Sequence, residues 1–281
     1  MNRGEVEFAD LEIAEDYIEH IPMPPGFQAN REGFKAFARM LRTAFPDLHY
    51  RVEHLTSTDL VGENQKVVHQ ITARGTHLGD WGPIPATGKC INWSEIHIGL
   101  YVRGVLVEHW GNIDSLAILQ QMGVIPGWEV PPPIPPRPVT AGKKLTSKQE
   151  NIAIVRRYVS EVWNKGRLNV ADELIHPRCI DPSLPQLPVG PEGVKLAVKM
   201  HRDAFPNLQI FIEDCIAEED VVVIRFVMTG THEGEYVGIA ATGNDIEMQA
   251  CEVYHIGDGQ IVERTMVADM LGMLEQLGVG G

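Results

Sequence analysis

The sequence predicts an α+β protein made of two copies of one domain, each with helices packed on one face of a curved mixed or antiparallel sheet. Two observations support this prediction. Thr43–Leu48 recurs as Asp203–Leu208, and Gly75–His77 recurs as Gly230–His232, in the same order along the chain. In both copies, helical patterns precede a series of strand-like runs, and a short helix follows them.

Apolar residues recur at helical spacing near the start and the end of each repeat. In the second copy, Thr146 with Gln149 predicts a capping box, and Gly166 ends the helix that follows. A second helix is predicted at about 192–205, and its counterpart in the first copy begins near Phe34. The closing helices are predicted at Leu116–Met122 and Leu271–Leu277. Strand-like runs of the second copy cover 208–216, 220–231, 245–256 and 260–268.

A proline-rich segment, Pro131–Pro138, separates the two copies. Proline fixes φ and removes a backbone donor, so we expect a stiff polyproline II linker, although an SH3-type ligand would have the same composition. The predicted boundaries are 1–126 for the first domain, 127–145 for the linker and 146–281 for the second domain.

The two copies differ at their start, because Asn2–Gly4 aligns with Asn164–Gly166, where the first helix of the second copy ends. The first copy therefore lacks that helix, unless the natural start lies upstream. We expect its sheet or pocket rim to be uncovered, or to be covered by the proline-rich segment or by a partner subunit.

The composition excludes several classes of protein. The chain has 281 residues, of which 44% are hydrophobic and 22% charged, as in ordinary globular domains. Its net charge of -14 argues against nucleic acid and anionic membranes as partners. The acidic N-terminus resembles no signal peptide, so we expect a cytoplasmic protein. The cysteines form no CxxC pair, which argues against a metal site and a disulfide framework; they are Cys90, Cys179, Cys215 and Cys251.

The hairpin between the last two strands carries the most informative pattern. With the turn of the first copy centred near Arg103, His97 and His109 are predicted to lie opposite each other. The corresponding residues of the second copy are Glu252 and Arg264, which predict a cross-strand ion pair. Opposed residues share one face of a sheet, but a register slip of one residue would place them on opposite faces.

Residues two and four positions away along the strands should share the face of these histidines. They are Glu95 and Trp93 before His97, and Gly111 after His109. Histidine titrates near neutral pH and can donate or accept a proton, so a His/Glu site beside an aromatic wall suits proton transfer at a carbonyl. The alternative is a hydrogen-bonded histidine pair on a polar face without catalytic function.

Four further positions bear on the site. Asp114 either reaches the pocket or caps the closing helix. The alternation of His69 with Val67 and Ile71 leaves its facing undecided. His77 and His232 occupy matching positions in copies whose hairpins differ, so we interpret both as structural.

Both halves of the chain resemble the SnoaL-like polyketide cyclase family of the NTF2-like superfamily. The matching stretches of the first copy are Gly75–His77, Pro85–Gly88, Val107–Trp110, Asp114 and Leu119–Gly123. Those of the second copy are Asn164–Gly166, Gly230–Glu235, Thr242–Gly243, Asp258–Glu263 and Leu274–Gly278. The resemblance implies two cone-shaped, cystatin-like α+β barrels, each curled around an apolar pocket. It also implies ring closure by intramolecular aldol condensation, without a metal or another cofactor.

The resemblance assigns family positions to this hairpin, with one departure. His97 matches the first histidine of the family, and Glu108–Trp110 matches most of its Glu-His-Trp-Asp run, but Gly111 stands where the acid/base Asp is expected. The second copy has Met266 at that position. The base could then be His97, His109 or Glu95, or the chain could be a binding protein that has lost the chemistry.

These observations predict a cofactor-independent acid–base enzyme, a lyase or isomerase similar to ester cyclases, that acts on a small hydrophobic carbonyl compound. His97 and His109 are the predicted proton-transfer residues, with Glu95 orienting one of them. The predicted substrate-binding residues are Trp93, Trp81, Tyr17, Gly111 and Tyr236. Trp81 and Tyr236 are either aromatic residues at the pocket rim or packing residues. The alternative is a non-catalytic ligand-binding or assembly protein, and in both cases the domains form a pseudo-dimer within one chain or the chain forms a homodimer.

Overall fold

The computed structural model describes residues 2, 5–24, 26–59, 61–125 and 146–279. The chain divides into two compact units, Met1–Gly127 and Trp128–Gly281. The linker predicted at 127–145 lies outside the described residues, so its polyproline II conformation stays a prediction. None of the described helices combines the length and the apolar character needed to cross a bilayer.

The N-terminal unit is built on a five-stranded mixed sheet with the strand order β1-β5-β4-β3-β2. Strand β1 runs parallel to β5, and the other neighbours are antiparallel. The elements in chain order are α1 (Ala9–Glu12), β1 (Ile13–Glu19), α2 (Arg31–Ala44), β2 (His49–Ser57), β3 (Asn64–Thr76), β4 (Cys90–Val102), β5 (Val105–Ile113) and α3 (Ser115–Met122).

The C-terminal unit repeats this topology with the strand order β6-β10-β9-β8-β7 and with β6 parallel to β10. Its elements are α4 (Lys148–Arg157), a π-helical continuation (Tyr158–Asn164), a 3₁₀ turn (Leu168–Val170), α5 (Ala171–Leu174), β6 (Ile175–Ile180), α6 (Pro191–Ala204), β7 (Gln209–Glu218), β8 (Val221–Thr231), β9 (Asp245–Gly257), β10 (Gln260–Ala268) and α7 (Met270–Gln276). The predicted α+β class, with helices on a mixed sheet in two domains, is confirmed.

The helix ends follow from local hydrogen bonds. The capping box predicted at Thr146 and Gln149 is wrong by one residue, because Ser147 accepts from the backbone of Glu150 while the Glu150 carboxylate accepts from the backbone of Ser147. Asp114 caps α3 by accepting from the Ala117 backbone N–H at 3.0 Å, which settles its alternatives in favour of the cap.

The first helix is the clearest difference between the units. In the C-terminal unit, α4 packs against β7 and β8. Among the described residues of the N-terminal unit, α1 and β1 occupy the positions of α5 and β6, and no helix corresponds to α4. Val52 and Leu55 on β2 are each 53% exposed.

A buried histidine anchors the same loop in both units. His77 Nδ1 lies 3.1 Å from the Thr87 hydroxyl and 3.3 Å from the Thr87 backbone nitrogen, and its ring lies against Phe45. His232 makes the matching contacts with Thr242 at 3.1 and 3.3 Å. Identical contacts in units with different hairpins support the structural interpretation of both histidines.

We expect Thr87→Val and Thr242→Val each to lower the free energy of unfolding by about 1 kcal/mol, because a buried imidazole nitrogen loses a hydrogen-bond partner. Urea unfolding monitored by circular dichroism measures the change. Thr43→Val at an exposed site is the matched control, and losses no larger than that of the control would contradict the anchoring role.

Candidate active site

The β4–β5 hairpin places its histidines on one face through a register different from the predicted one. A turn at Arg103-Gly104 and an irregularity near Tyr101 pair His97 with Gly111 and His109 with Gly99. The predicted direct opposition of His97 and His109 is therefore wrong. Because the register differs by two residues rather than one, both side chains still lie on the same face.

The two imidazoles stack on each other. Their ring centroids lie 4.9 Å apart, with 20° between the ring planes. The side chains of His97 and His109 are 15% and 14% exposed. At this distance, a positive charge on the His97 ring lowers the pKa of His109.

Glu95 fixes the orientation of His97. Its Oε2 lies 2.7 Å from His97 Nε2, and its Oε1 accepts from the Trp93 indole N–H at 2.5 Å. Glu95 is 5% exposed, so both hydrogen bonds form away from bulk water. With Nε2–H donated to Glu95, His97 presents its lone pair at Nδ1, which is buried and has no hydrogen-bond partner in the described chain.

Glu19 on β1 fixes His109 in the same manner, and sequence reasoning missed it. Its Oε2 lies 2.9 Å from His109 Nδ1 and accepts from the Tyr17 hydroxyl at 2.5 Å, while Oε1 accepts from the Ile21 backbone N–H at 3.0 Å. The parallel pairing of β1 with β5 sets Glu19 beside His109. The signal in the sequence was an acidic residue two positions after Tyr17 and also after the matching Cys179, namely Glu19 and Asp181.

Burial and hydrogen bonding set the charges of this pair. Burial alone would raise the pKa of Glu19, but hydrogen bonds from His109, Tyr17 and Ile21 hold it below the usual range. Burial lowers the pKa of His109, and the hydrogen bond to Glu19 opposes this shift only in part. At pH 7, Glu19 is therefore an anion and His109 a neutral imidazole with its lone pair at Nε2.

Gly111 is required by the position of His97. A Cβ at residue 111 would lie 2.7 Å from the Ile96 carbonyl oxygen and 2.8 Å from His97 Nδ1. Both distances are too short for any side chain, so the His97 imidazole fills the space beside this backbone. Asp114, as the cap of α3, is committed to the Ala117 N–H, and burial raises its pKa.

The predicted aromatic residues divide between the site and the cores. Trp93 is 5% exposed, bonds to Glu95 and lies 5.4 Å from the Phe45 ring. Trp81 packs edge-on against Phe45 at 5.9 Å. Tyr236 belongs to the C-terminal unit and is 3% exposed, with its hydroxyl 3.1 Å from His201 Nε2. A position at a pocket rim is therefore wrong for Tyr236, because its polar end is bonded inside a core.

The C-terminal hairpin carries the predicted ion pair, again in the displaced register. Arg264 Nη1 lies 3.2 Å from Glu252 and donates to Tyr158 at 2.8 Å, and Nη2 lies 2.7 Å from Asp181. Arg264 pairs with Tyr254 across the strands. The cavity beside Arg264 measures about 20 Å³, which is room for one water molecule and not for an organic ligand. Among the described residues of this hairpin, Glu252 and Arg264 are therefore paired with each other and are not a free acid–base pair.

Within the described residues, the His, Cys, Asp and Glu side chains form no cluster of three or more suited to a metal ion. The N-terminal site instead combines two carboxylate-held imidazoles, an indole and a phenol on one face of a sheet. Such a set can bind a carbonyl compound, remove a proton and return it.

The sequence and the geometry define the family of the chain. The family model SnoaL-like polyketide cyclase matches residues 1–122 and 153–277, which cover most of each unit. The chain belongs to the SnoaL-like polyketide cyclase family, as a tandem duplication of its domain.

Individual relatives are each similar to part of the chain. Aklanonic acid methyl ester cyclase AcmA of Streptomyces galilaeus is 33% identical over 133 residues, which cover 46% of this chain and 91% of that protein. Nogalonic acid methyl ester cyclase of Streptomyces nogalater is 29% identical over 119 residues, covering 41% of this chain and 89% of that protein. The solved structure of TsrD from Streptomyces laurentii matches with a TM-score of 0.45 and 24% identity, covering 47% of this chain and 98% of that one.

We expect Gly111→Ala to lower the free energy of unfolding by about 1–3 kcal/mol, because the new Cβ overpacks against Ile96 and His97. Urea unfolding and the imidazole NMR signals of His97 measure the effect. Met266→Ala, at the matching position of the C-terminal unit, is the control and should leave those signals in place. Unchanged stability and unchanged His97 signals in Gly111→Ala would contradict the close packing.

We expect acid to destabilise the protein partly through His109. Its folded pKa lies below the unfolded value of about 6.5, so the folded and unfolded states are both neutral at pH 7.5. As the pH falls through about 6.5, the unfolded chain binds a proton that the folded chain does not, and the free energy of unfolding drops.

Urea unfolding at pH 7.5 and pH 5.5 measures this loss. His109→Gln should lose less stability between the two pH values than the wild type does, while the exposed-site control His49→Gln should match the wild type. An equal loss in His109→Gln and wild type would show that His109 binds its proton equally well in both states.

Proposed function

We propose that the N-terminal unit is a cofactor-independent acid–base catalyst of the SnoaL-like polyketide cyclase type, which closes a ring on a small hydrophobic carbonyl compound. The observation that carries the proposal is the stacked pair of imidazoles, each oriented by its own buried carboxylate. His97 with Glu95 and His109 with Glu19 supply the acid–base function that the glycine at position 111 does not.

The proposed reaction is an intramolecular aldol condensation. One carboxylate-held imidazole removes a proton from the carbon next to a carbonyl, and an enolate and an imidazolium form. The enolate carbon attacks a second carbonyl of the same molecule, so that a carbon–carbon bond forms and that oxygen becomes an alkoxide. The imidazolium returns its proton to the alkoxide, and no proton is gained or lost overall. Glu19 and Glu95 stabilise the imidazolium in the same way as the acid of a catalytic triad.

The names of the curated relatives suggest a substrate class. AcmA is an aklanonic acid methyl ester cyclase, and the Streptomyces nogalater relative acts on nogalonic acid methyl ester. We therefore infer a polyketide methyl ester as the substrate of this chain. Tyr17, Trp81 and Trp93 supply the apolar and aromatic walls in this proposal, and Gly111 gives the His97 imidazole the space that it occupies.

A second candidate function is binding without catalysis, and Gly111 favours it, since the acid/base Asp expected from the resemblance is missing there. The ion cluster of the C-terminal unit agrees with the absence of catalysis in that unit. A pseudo-dimer of the two units, a homodimer and a cytoplasmic location stay predictions, and light scattering of the purified chain tests the homodimer through its mass.

We expect the double variant His97→Gln/His109→Gln to lose cyclisation of aklanonic acid methyl ester by about 10²–10⁴-fold in kcat, because both acid–base groups are removed. Product formation is followed by mass spectrometry after separation of substrate and product. Glutamine keeps a polar side chain, so circular dichroism of this variant should match the wild type.

The exposed-site variant His49→Gln is the matched control and should retain wild-type turnover. Full turnover by the double variant would refute the assignment of both histidines. A wild type that binds the ester without changing it would favour the binding function.

A further inference from the structure

A third histidine lies in the same row of the sheet as His97. Cα pairing aligns Leu55 of β2, His69 of β3, His97 of β4 and Gly111 of β5 across four strands. Directly opposed residues share a face, so His69 lies on the face of the imidazole pair. Val67 and Ile71 share that face with it, which is why the alternation in the sequence left its direction open.

His69 differs from the other two imidazoles in how it is held. His97 bonds to Glu95 and His109 bonds to Glu19, whereas His69 has no hydrogen-bond partner within the described chain. Burial lowers the pKa of His69, and the nearby His97 and His109 lower it further. Its ring is therefore neutral at pH 7, with one N–H free to donate and one lone pair free to accept.

The C-terminal unit has a different residue at the position that corresponds to His69. Ile224 takes the place of His69 there, since it pairs with Glu252 as His69 pairs with His97. Ile224 is fully buried at 0% exposure. The same position in the same topology thus accepts an apolar residue. A half-buried histidine without a hydrogen-bond partner stabilises the fold no more than isoleucine does. The histidine therefore points to a ligand.

Apolar side chains near His69 are exposed to solvent. Leu55, its neighbour in the row, is 53% exposed, and so is Val52 on the same face of β2. In the C-terminal unit, α4 lies over β7 and β8, which are the counterparts of β2 and β3. The N-terminal unit has no such helix among its described residues. Val52 and Leu55 therefore form an exposed apolar surface next to His69.

We propose that His69 is a third catalytic residue, which hydrogen-bonds as a neutral imidazole to the oxygen of the carbonyl undergoing enolisation. This inference rests on the proposed function. One carboxylate-held imidazole takes the proton from carbon, and the negative charge moves onto the carbonyl oxygen. His69 donates a hydrogen bond to that oxygen without giving up its proton, so the proton balance of the aldol step is unchanged. The apolar body of the substrate lies over Val52 and Leu55.

The test compares two substitutions at this position. His69→Ile introduces the residue that the C-terminal unit carries there, so the variant keeps a side chain that this fold accommodates. We expect it to lower kcat for aklanonic acid methyl ester by about 10²–10³-fold, as loss of one oxyanion donor does elsewhere, with KM changed less than about threefold. His69→Gln restores an N–H donor and should recover at least about tenfold of the lost kcat.

A second measurement does not depend on turnover. Benzoylacetone, an enolisable aromatic β-diketone, mimics the enolate and reports binding through its absorption spectrum. We expect wild type and the exposed-site control His49→Gln to bind it equally well, and His69→Ile to bind it at least about tenfold more weakly. Circular dichroism and thermal unfolding of His69→Ile verify that it is folded.

The outcomes separate this inference from the proposed function. If wild type cyclises the ester and His69→Ile does so equally well, the role of His69 is refuted and the function stands. If wild type leaves the ester unchanged but binds benzoylacetone in a manner that requires His69, the hydrogen bond from His69 to an enolised carbonyl stands, while the proposed reaction fails. Loss of turnover in His69→Ile without recovery in His69→Gln would refute the hydrogen-bond role.

Discussion

The N-terminal site depends on two buried carboxylates, each of which is hydrogen-bonded to an imidazole. A buried carboxylate without partners would be costly, and here both are satisfied, Glu95 by His97 and Trp93, and Glu19 by His109 and Tyr17. Because each carboxylate accepts an N–H from one side of a ring, the lone pair lies on the other side. Three features bring these two pairs into contact. They are the parallel pairing of β1 with β5, the displaced register of the β4–β5 hairpin, and Gly111 beside His97.

The C-terminal unit has different side chains at the positions that carry the imidazole pair in the N-terminal unit. Asp181 follows the short parallel strand as Glu19 ends its counterpart, and Arg264 occupies the place of His109. A guanidinium does not exchange protons near neutral pH, so a salt bridge stands where the first unit has a titratable pair. Tyr158, from the helix that has no counterpart in the described N-terminal unit, closes that site. One fold thus carries a stacked imidazole pair in one unit and an ionic cluster in the other.

The repeat and the strand pattern were sufficient to predict the fold class, the order of elements and the shared face of His97 and His109. The register of the β4–β5 hairpin could not be predicted from the sequence. An irregularity near Tyr101 changes which residues oppose each other without changing their face. Glu19 was missed because β1 is a short edge strand with parallel pairing, and its alternation is obscured by acidic residues. The direction of His69 could not be predicted, since its apolar neighbours on the same face fit either side of a half-buried strand.

The most direct test of this account is the tautomeric state of the two imidazoles, measured by ¹⁵N NMR of histidine-labelled protein at pH 7.5 with assignments from His97→Gln and His109→Gln. We expect a fixed Nδ1–H form for His109, bonded to Glu19, and a fixed Nε2–H form for His97, bonded to Glu95. Averaged shifts typical of freely exchanging tautomers on both rings would contradict it, because neither carboxylate would then be holding its imidazole.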